Sequence, residues 1–316
     1  MSRSNVYIGV DTSAYTTSVA AYADGRVLFD GRKTLEVQKG GKGLRQSDAV
    51  FAHIKNIDSL LRKYKTGEYN LKAVAYSEKP CPREGSYMPV FRVGASHAQA
   101  LAFSDNAALY PLTHQHGHIY SAFLDSPVRD GSYGALHVSG GTLDVLSVRV
   151  KNGIAREINK IGGTLDITCG QLIDRTGVEA GLPFPSGEAA GRLYREGAQK
   201  LCVNVEGLYA NLSGAEAQAL RRLKKGEDAA LVCSAVIDCA AQTIALLAKN
   251  AAKTYGLSQF IFTGGVMRGD AIRAYTEKMC VESGISCITA KKEYCSDNAC
   301  GLALAARLLH EKGERF

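Results

Sequence analysis

Val6-Tyr7-Ile8-Gly9-Val10, then Asp11-Thr12-Ser13, then Thr17 to Ala23 closed by Asp24-Gly25, reads as a buried strand, a polar turn, a second strand and a tight glycine turn. The turn sets a carboxylate and hydroxyls at the end of a buried strand, which suits a metal-bound phosphate, although hydroxyl-rich turns are also simply good turns. The pattern then returns. After a linker around Asp125 to Ser132, Ala135-Leu136-His137-Val138 is a strand, Ser139-Gly140-Gly141-Thr142 a turn, Leu143 to Val150 a strand, and Asn152-Gly153 a hairpin turn. A third feature of the same kind follows: the buried strand Gln259-Phe260-Ile261-Phe262, the turn Thr263-Gly264-Gly265 and a helix from Asp270 to Cys280. Glycines at a strand-to-helix turn let backbone approach a ribose or phosphate closely.

Two such hairpin units, each opening a domain-sized segment, describe an α/β chain of the duplicated fold shared by actin, sugar kinases and the Hsp70 ATPase. The expected lobes are 1–130 and 131–316, the last helix being a candidate to return to the first lobe. A nucleotide is expected in the cleft between them. Between the hairpins, Ala49 to Tyr64 is expected to be a helix with Val50, Phe51, Ile54, Ile57, Leu60, Leu61 and Tyr64 on its apolar face, preceded by a glycine-rich basic loop from Gln38 to Arg45. Leu71 to Tyr76 is a further buried strand, and a helix runs from Gly94 to about Asn106.

At 316 residues with 46% apolar side chains the chain can build two cores. Its net charge of +7 permits a nucleic-acid partner without requiring one. Nine cysteines without a C-x-x-C pair argue against a disulfide framework and a zinc ribbon, and fit a reducing cytoplasm. The long apolar tract Ala229 to Ala252 carries Asp238, Gln242 and Lys249, so it is expected to be a buried core helix and no membrane partner is implied.

Three of the seven histidines fall within His114-Gln115-His116-Gly117-His118. On a helix, His114 and His118 stand one turn apart and can meet one metal ion, whose third protein ligand must come from elsewhere. The likeness to an H-E-x-x-H protease helix is superficial, because no Glu follows the first His. Further along, Asp166, Gly170 and Asp174 sit in an apolar, glycine-rich stretch that looks ligand-facing, although Asp166 is also placed to cap a helix near Ile167. Asp297 or Ser296 is a natural N-cap for a last helix, Ala299 to His310.

Taken in order, Gly9-x-Asp11-Thr12-Ser13, His114-x-x-Gly117-His118, Val138-Ser139-Gly140-Gly141, Asp166-x-x-x-Gly170-x-x-x-Asp174, Gly264-Gly265-Val266 and Tyr294-Cys295-Ser296-Asp297-Asn298 resemble the tRNA threonylcarbamoyladenosine transferases, once described as O-sialoglycoprotein endopeptidases. The resemblance runs from about residue 6 to about residue 307. It implies one Fe or Zn ion per chain on His114, His118 and Asp297, and an adenine nucleotide or adenylate in the cleft. It implies Asp11 and Ser139 as catalytic groups facing reacting oxygens. Ser139, Gly140, Gly141, Asp166, Gly170, Asp174, Gly264 and Gly265 would line the nucleotide. The implied reaction moves a threonylcarbamoyl group from threonylcarbamoyl-AMP to N6 of an adenosine beside the anticodon of tRNA, in the cytoplasm, with helper proteins of the tRNA modification complex. The sequence departs from the family where Gln115-His116 replaces the usual Glu, where no His follows Gly141, where Thr16 replaces an acid, and where Glu78 to Glu84 replaces a glycine-rich segment. Those departures leave a second reading open: a nucleotide- and metal-binding relative that regulates, or a carbamoyltransferase with another acceptor. Only proximity suggests His116 as a general base.

Overall fold

The computed structural model of the protein describes residues 3–13, 15–36, 44–62 and 69–314. The expectations for residues 38–43 and for Tyr64 lie outside them. The strands in chain order are β1 (Asn5–Ser13), β2 (Thr16–Ala23), β3 (Arg26–Thr34), β4 (Asn70–Lys79), β5 (Ala108–Thr113), β6 (Gly131–Val138), β7 (Leu143–Lys151), β8 (Ile154–Thr164), β9 (Asn204–Glu206), β10 (Tyr209–Asn211), β11 (Gln259–Thr263) and β12 (Ser286–Thr289).

They form a five-stranded sheet ordered β3-β2-β1-β4-β5 and a seven-stranded sheet ordered β12-β11-β6-β7-β8-β10-β9. In the first, β1 runs antiparallel to β2 and parallel to β4, which is parallel to β5. In the second, β6 runs antiparallel to β7 and parallel to β11, which is parallel to β12. The same connection pattern is therefore built twice, and the strand ending at Thr263 occupies in its sheet the place β4 occupies in the first. Both hairpin turns use residues with positive φ, Asp24 (50°) and Gly25 (77°) in one, Asn152 (54°) and Gly153 (66°) in the other. Such pairs match the right-handed twist of the flanking strands.

The chain groups into two compact units. The first comprises the described parts of Met1–Asp130, Lys151–Ala155 and Asp297–Phe316; the second comprises Gly131–Val150 and Arg156–Ser296. In the first unit Val6, Ile8, Val10, Val19 and Val74 pack with Ile57, Leu60 and Ala98 from the helices Gln46–Leu61 and Phe91–Ser104. The buried stripe of Gln46–Leu61 is Ala49, His53, Ile57 and Leu60, spaced four, four and three residues apart. Phe51 and Ile54, expected inside, are 63% and 48% exposed. The inward face is narrower than the apolar residues suggested, and a hydrogen-bonded histidine belongs to it. That His53 pairs its Nδ1 with the Thr17 hydroxyl at 2.8 Å.

The 27-residue helix Ala229–Tyr255 is long and apolar enough to cross a membrane, yet 78% of its most apolar stretch is buried inside the protein. Asp238 on it accepts a hydrogen bond from the Tyr194 hydroxyl at 2.9 Å. It is a core helix.

Candidate functional site

Three segments of the first unit meet at the end of β1. Asp11, Thr12 and Ser13 continue the ladder to Ser13 and do not form the turn expected of them, with Asp11 opposite Ser18 and Ser13 opposite Thr16. Their side chains find partners inside the unit, which makes extended backbone tolerable there. Thr12 Oγ1 donates to the Val90 carbonyl at 2.8 Å and accepts from Gly94 N–H at 3.0 Å, fixing the start of the helix Phe91–Ser104.

The second segment is the helix His114–Ser121. It begins at His114 because Thr113 caps it: the Thr113 hydroxyl accepts from His116 N–H, and His116 Nδ1 accepts from Thr113 N–H. This is a capping box in which histidine does the work usual for Glu or Gln. The other His116 nitrogen donates to the Ala155 carbonyl. Ala155 N–H in turn reaches the Tyr120 hydroxyl at 2.8 Å. His116 is thus a structural staple, and proximity misled as to its being a general base.

Burial drives His116 down to about 4, so it stays neutral when folded. An unfolded His takes up a proton below about pH 6.5, whereas the folded one does so only near pH 4. Its contribution is complete above about pH 6.5 and is lost as pH falls toward 4, up to roughly 3 kcal/mol. Urea unfolding at neutral pH and near pH 5 should reveal that loss. His116→Gln keeps a capping box and should flatten the dependence; an unchanged slope would contradict the assignment.

The third segment is Asp297 with Asn298 and Ala299. Asn298 Oδ1 accepts from Cys300 N–H at 2.8 Å and from the Ser121 hydroxyl at 3.1 Å, so the side chain one residue before the N-cap Ala299 satisfies the first amide of the helix Cys300–Glu311. Ala299 N–H donates to the Ser18 hydroxyl at 2.8 Å. Asp297 faces the histidines, and Ser13 Oγ donates to its Oδ2 at 3.4 Å.

His114 Nε2, His118 Nε2 and Asp297 Oδ1 form a triangle with edges of 3.1, 3.4 and 3.6 Å. Metal–nitrogen and metal–oxygen bonds of about 2.0–2.2 Å at tetrahedral angles place ligands roughly 3.3–3.5 Å apart, so two imidazoles and one carboxylate here fit a divalent ion. Behind them Asp11, wholly buried, accepts from His114 Nδ1 at 3.1 Å and from the Ser77 hydroxyl. A proton on Nδ1 bound to Asp11 leaves the His114 Nε2 lone pair for the triangle. Asp11 therefore positions His114, where the sequence suggested contact with reacting oxygens. Burial lowers the His114 pKa, but the carboxylates of Asp11 and Asp297 outweigh it and raise it to about 9. Burial and the neighbouring His114 hold His118 below its ordinary value. The pocket favours one positive charge. The sequence signal for Ser77 is only a lone hydroxyl ending the buried Leu71 to Tyr76 run.

In the second unit, Ser139 Oγ accepts from Gly141 and Thr142 N–H at 3.3 and 3.1 Å, so it shapes its own turn. Thr168, which caps the helix Cys169–Glu179, donates to the Gly140 carbonyl at 2.9 Å. A Cβ on Gly170 would stand 2.6 Å from Gly140 Cα, and one on Gly264 would press into the Val138 carbonyl. Ser139, Gly140, Gly170 and Gly264 are thus in close array, while side chains at Gly140, Gly141 and Gly265 would enter open space. The two acids are occupied otherwise. Asp166 accepts from Ile167, Leu212 and Ser213 N–H at 2.6 to 2.9 Å, which keeps its carboxyl at about 2 against the opposing effect of burial. Asp174 accepts from Ser186 N–H at 2.7 Å, and burial raises its pKa. Both brace loops through backbone amides.

Residues 42–304 match the tRNA N6-adenosine threonylcarbamoyltransferase (TsaD) family. The chain belongs to this family. It is 30% identical over 316 residues to the tRNA N6-adenosine threonylcarbamoyltransferase of Pyrobaculum calidifontis, covering 98% of this chain and 89% of that protein. To that of Methanopyrus kandleri it is 27% identical, covering 98% and 88%. Among solved structures, full-length HypF in its phosphate- and nucleotide-bound form has a TM-score of 0.62 at 12% identity, covering 97% of this chain and 55% of that one. A ROK family glucokinase from Streptomyces griseus has a TM-score of 0.54 at 11% identity, covering 96% and 99%. These likenesses establish the duplicated actin-like, sugar-kinase fold.

Proposed function

We propose that this family member transfers the threonylcarbamoyl group of threonylcarbamoyl-AMP to N6 of adenosine beside the anticodon of tRNA, with Fe or Zn on His114, His118 and Asp297. The observation that carries the reading is the His-His-Asp triangle, with its carboxylate-oriented histidine, in a chain of this family. When bound, the metal supplies Lewis acidity toward a carbonyl or phosphoryl oxygen. The chain's own residues do the rest. Asp11 and Ser77 keep His114 in the tautomer that ligates, and Ser13 steadies Asp297. In the second unit, the turn Ser139-Gly140-Gly141 with Gly170, Gly264 and Gly265 forms a side-chain-poor surface suited to the adenylate. Asp166 and Asp174 support it indirectly. The nine cysteines, all free, accord with a reducing cytoplasm. Helper proteins of the modification complex are expected partners.

The test supplies threonylcarbamoyl-AMP and unmodified tRNA that reads codons beginning with A, with and without helper proteins, and looks for threonylcarbamoyladenosine by mass spectrometry. Modified adenosine is the expected outcome. Retained adenylate binding with no product under any helper combination would overturn the reading and favour a regulatory relative.

A further inference from the structure

A second candidate site lies wholly within the second unit, at the C-terminal end of the helix Ser213–Lys224. There a cavity of about 190 Å³ is lined by Gln199, Lys200, Gln218, Arg221, Arg222 and Lys225, with no acidic side chain on its wall. Arg222 is fixed in place: its Nε donates to Glu227 at 2.7 Å and its Nη1 to the Gln199 carbonyl at 2.8 Å. Gln218 Oε1 accepts from Cys202 N–H at 3.2 Å, which leaves its amide NH₂ as a donor. Among the described residues, Arg221 and Lys225 have no carboxylate within ion-pair distance, while Lys200 feels the carboxylate of Asp238. They are exposed side chains around a wall that Arg222 and Gln218 hold rigid.

A helix C-terminus carries only about half a negative charge, and basic residues often collect there to offset it. Arg221 and Lys225, with Lys200 beside them, exceed that need. They also stand where the chain's charge excess of +7 is given a concave, donor-lined form. We propose that this cavity binds a backbone phosphate of the RNA substrate, fixing the position of the tRNA body. The inference rests on the reading of tRNA as the acceptor. A phosphodiester suits the wall better than a whole nucleotide, because the lining offers cations and amide donors but no aromatic face for a base.

The experiment measures tRNA binding to the full chain across about 50 to 200 mM salt, for wild type and for Lys200→Ala/Arg221→Ala/Lys225→Ala. Arg222 is left intact because it holds the loop. Lys249→Ala/Lys253→Ala/Lys278→Ala removes equal charge elsewhere as a control. The pocket variant should weaken tRNA binding and lower the magnitude of the log–log salt slope by about 1. Its KM for tRNA should rise, while kcat at saturating tRNA and metal content stay at wild-type values. The control should shift the slope by less. A pocket variant with wild-type slope and KM overturns the inference, and modified adenosine from the wild type in the same assay would show that the transferase reading survives. A wild type that neither binds nor modifies tRNA overturns both. Inorganic phosphate and AMP are titrated separately: binding of these that the pocket variant loses, with tRNA affinity unaltered, assigns the cavity to a small phosphorylated ligand and overturns the RNA inference. The single variant Arg221→Gln, which preserves side-chain bulk, gives the same comparison should the triple variant fold poorly.

Discussion

His118→Ala is expected to purify without its metal and to lose threonylcarbamoyl transfer, and Asp297→Ala to do the same. Each removes one corner of a triangle whose edges are only 3.1 to 3.6 Å, leaving two ligands for an ion that three held. The neighbouring carboxylate of Asp11 is wholly buried, with its Oδ1 held by His114 and Ser77. The loss of affinity should exceed the roughly 10 to 100-fold that follows removal of a group which merely orients a ligand. Asp11→Asn provides that comparison. It keeps the shape but removes the charge that fixes the His114 tautomer, so metal affinity should fall by about 10 to 100-fold without vanishing. Elemental analysis of the purified variants reads occupancy, and transfer assays read activity. Full occupancy in both His118→Ala and Asp297→Ala would remove the basis for the site. Equal defects in Asp11→Asn and His118→Ala would instead make Asp11 a ligand.

The parts of this architecture that depend on local pattern were legible in the sequence. Alternating buried strands and the dipeptides Asp24-Gly25 and Asn152-Gly153 announced two hairpins, and their recurrence announced the duplication. The i, i+4 spacing of His114 and His118 announced a shared face. Asp297 was legible only through the family's order of motifs, since nothing local ties it to residues nearly two hundred positions earlier. What periodicity cannot supply is the identity of a partner across the fold. Asp11 pointed at the site from the sequence, but its facing the back of His114 follows from β4 bringing Ser77 alongside it. Asp166 and Asp174 looked ligand-facing because acids in apolar surroundings usually need a reason to be there; backbone amides of other loops supplied it. His116 belongs to the pair Gln115-His116 that departs from the family's usual Glu. Its position three residues after Thr113 makes it the reciprocal half of a capping box, which imidazole can fill as a carboxylate does.

Gly301→Ala should be among the most damaging single-methyl changes in the first unit, although alanine is the better helix former by about 1 kcal/mol. A Cβ at Gly301 would fall inside the Gly117 carbonyl oxygen and 2.6 Å from Ser121 N, both backbone atoms of the histidine helix. Backbone cannot swing aside as a side chain can, so the two helices must separate. Separation costs more than propensity returns, on the order of 3 kcal/mol for an overpacked site of this kind. It would also draw His118 away from Asp297, which lies only four residues before Gly301, and would stretch the hydrogen bond from Ser121 to Asn298. Gly117→Ala is the matched control on the opposite helix. Its Cβ would meet the Leu302 side chain at 3.3 Å, a contact that a small rotamer adjustment relieves, so the gain in helix propensity and the crowding should nearly cancel. Urea unfolding and metal content measured on the two variants separate these expectations. Gly301→Ala with wild-type stability and a full complement of metal would mean that the close approach of the two helices does not set the geometry of the site.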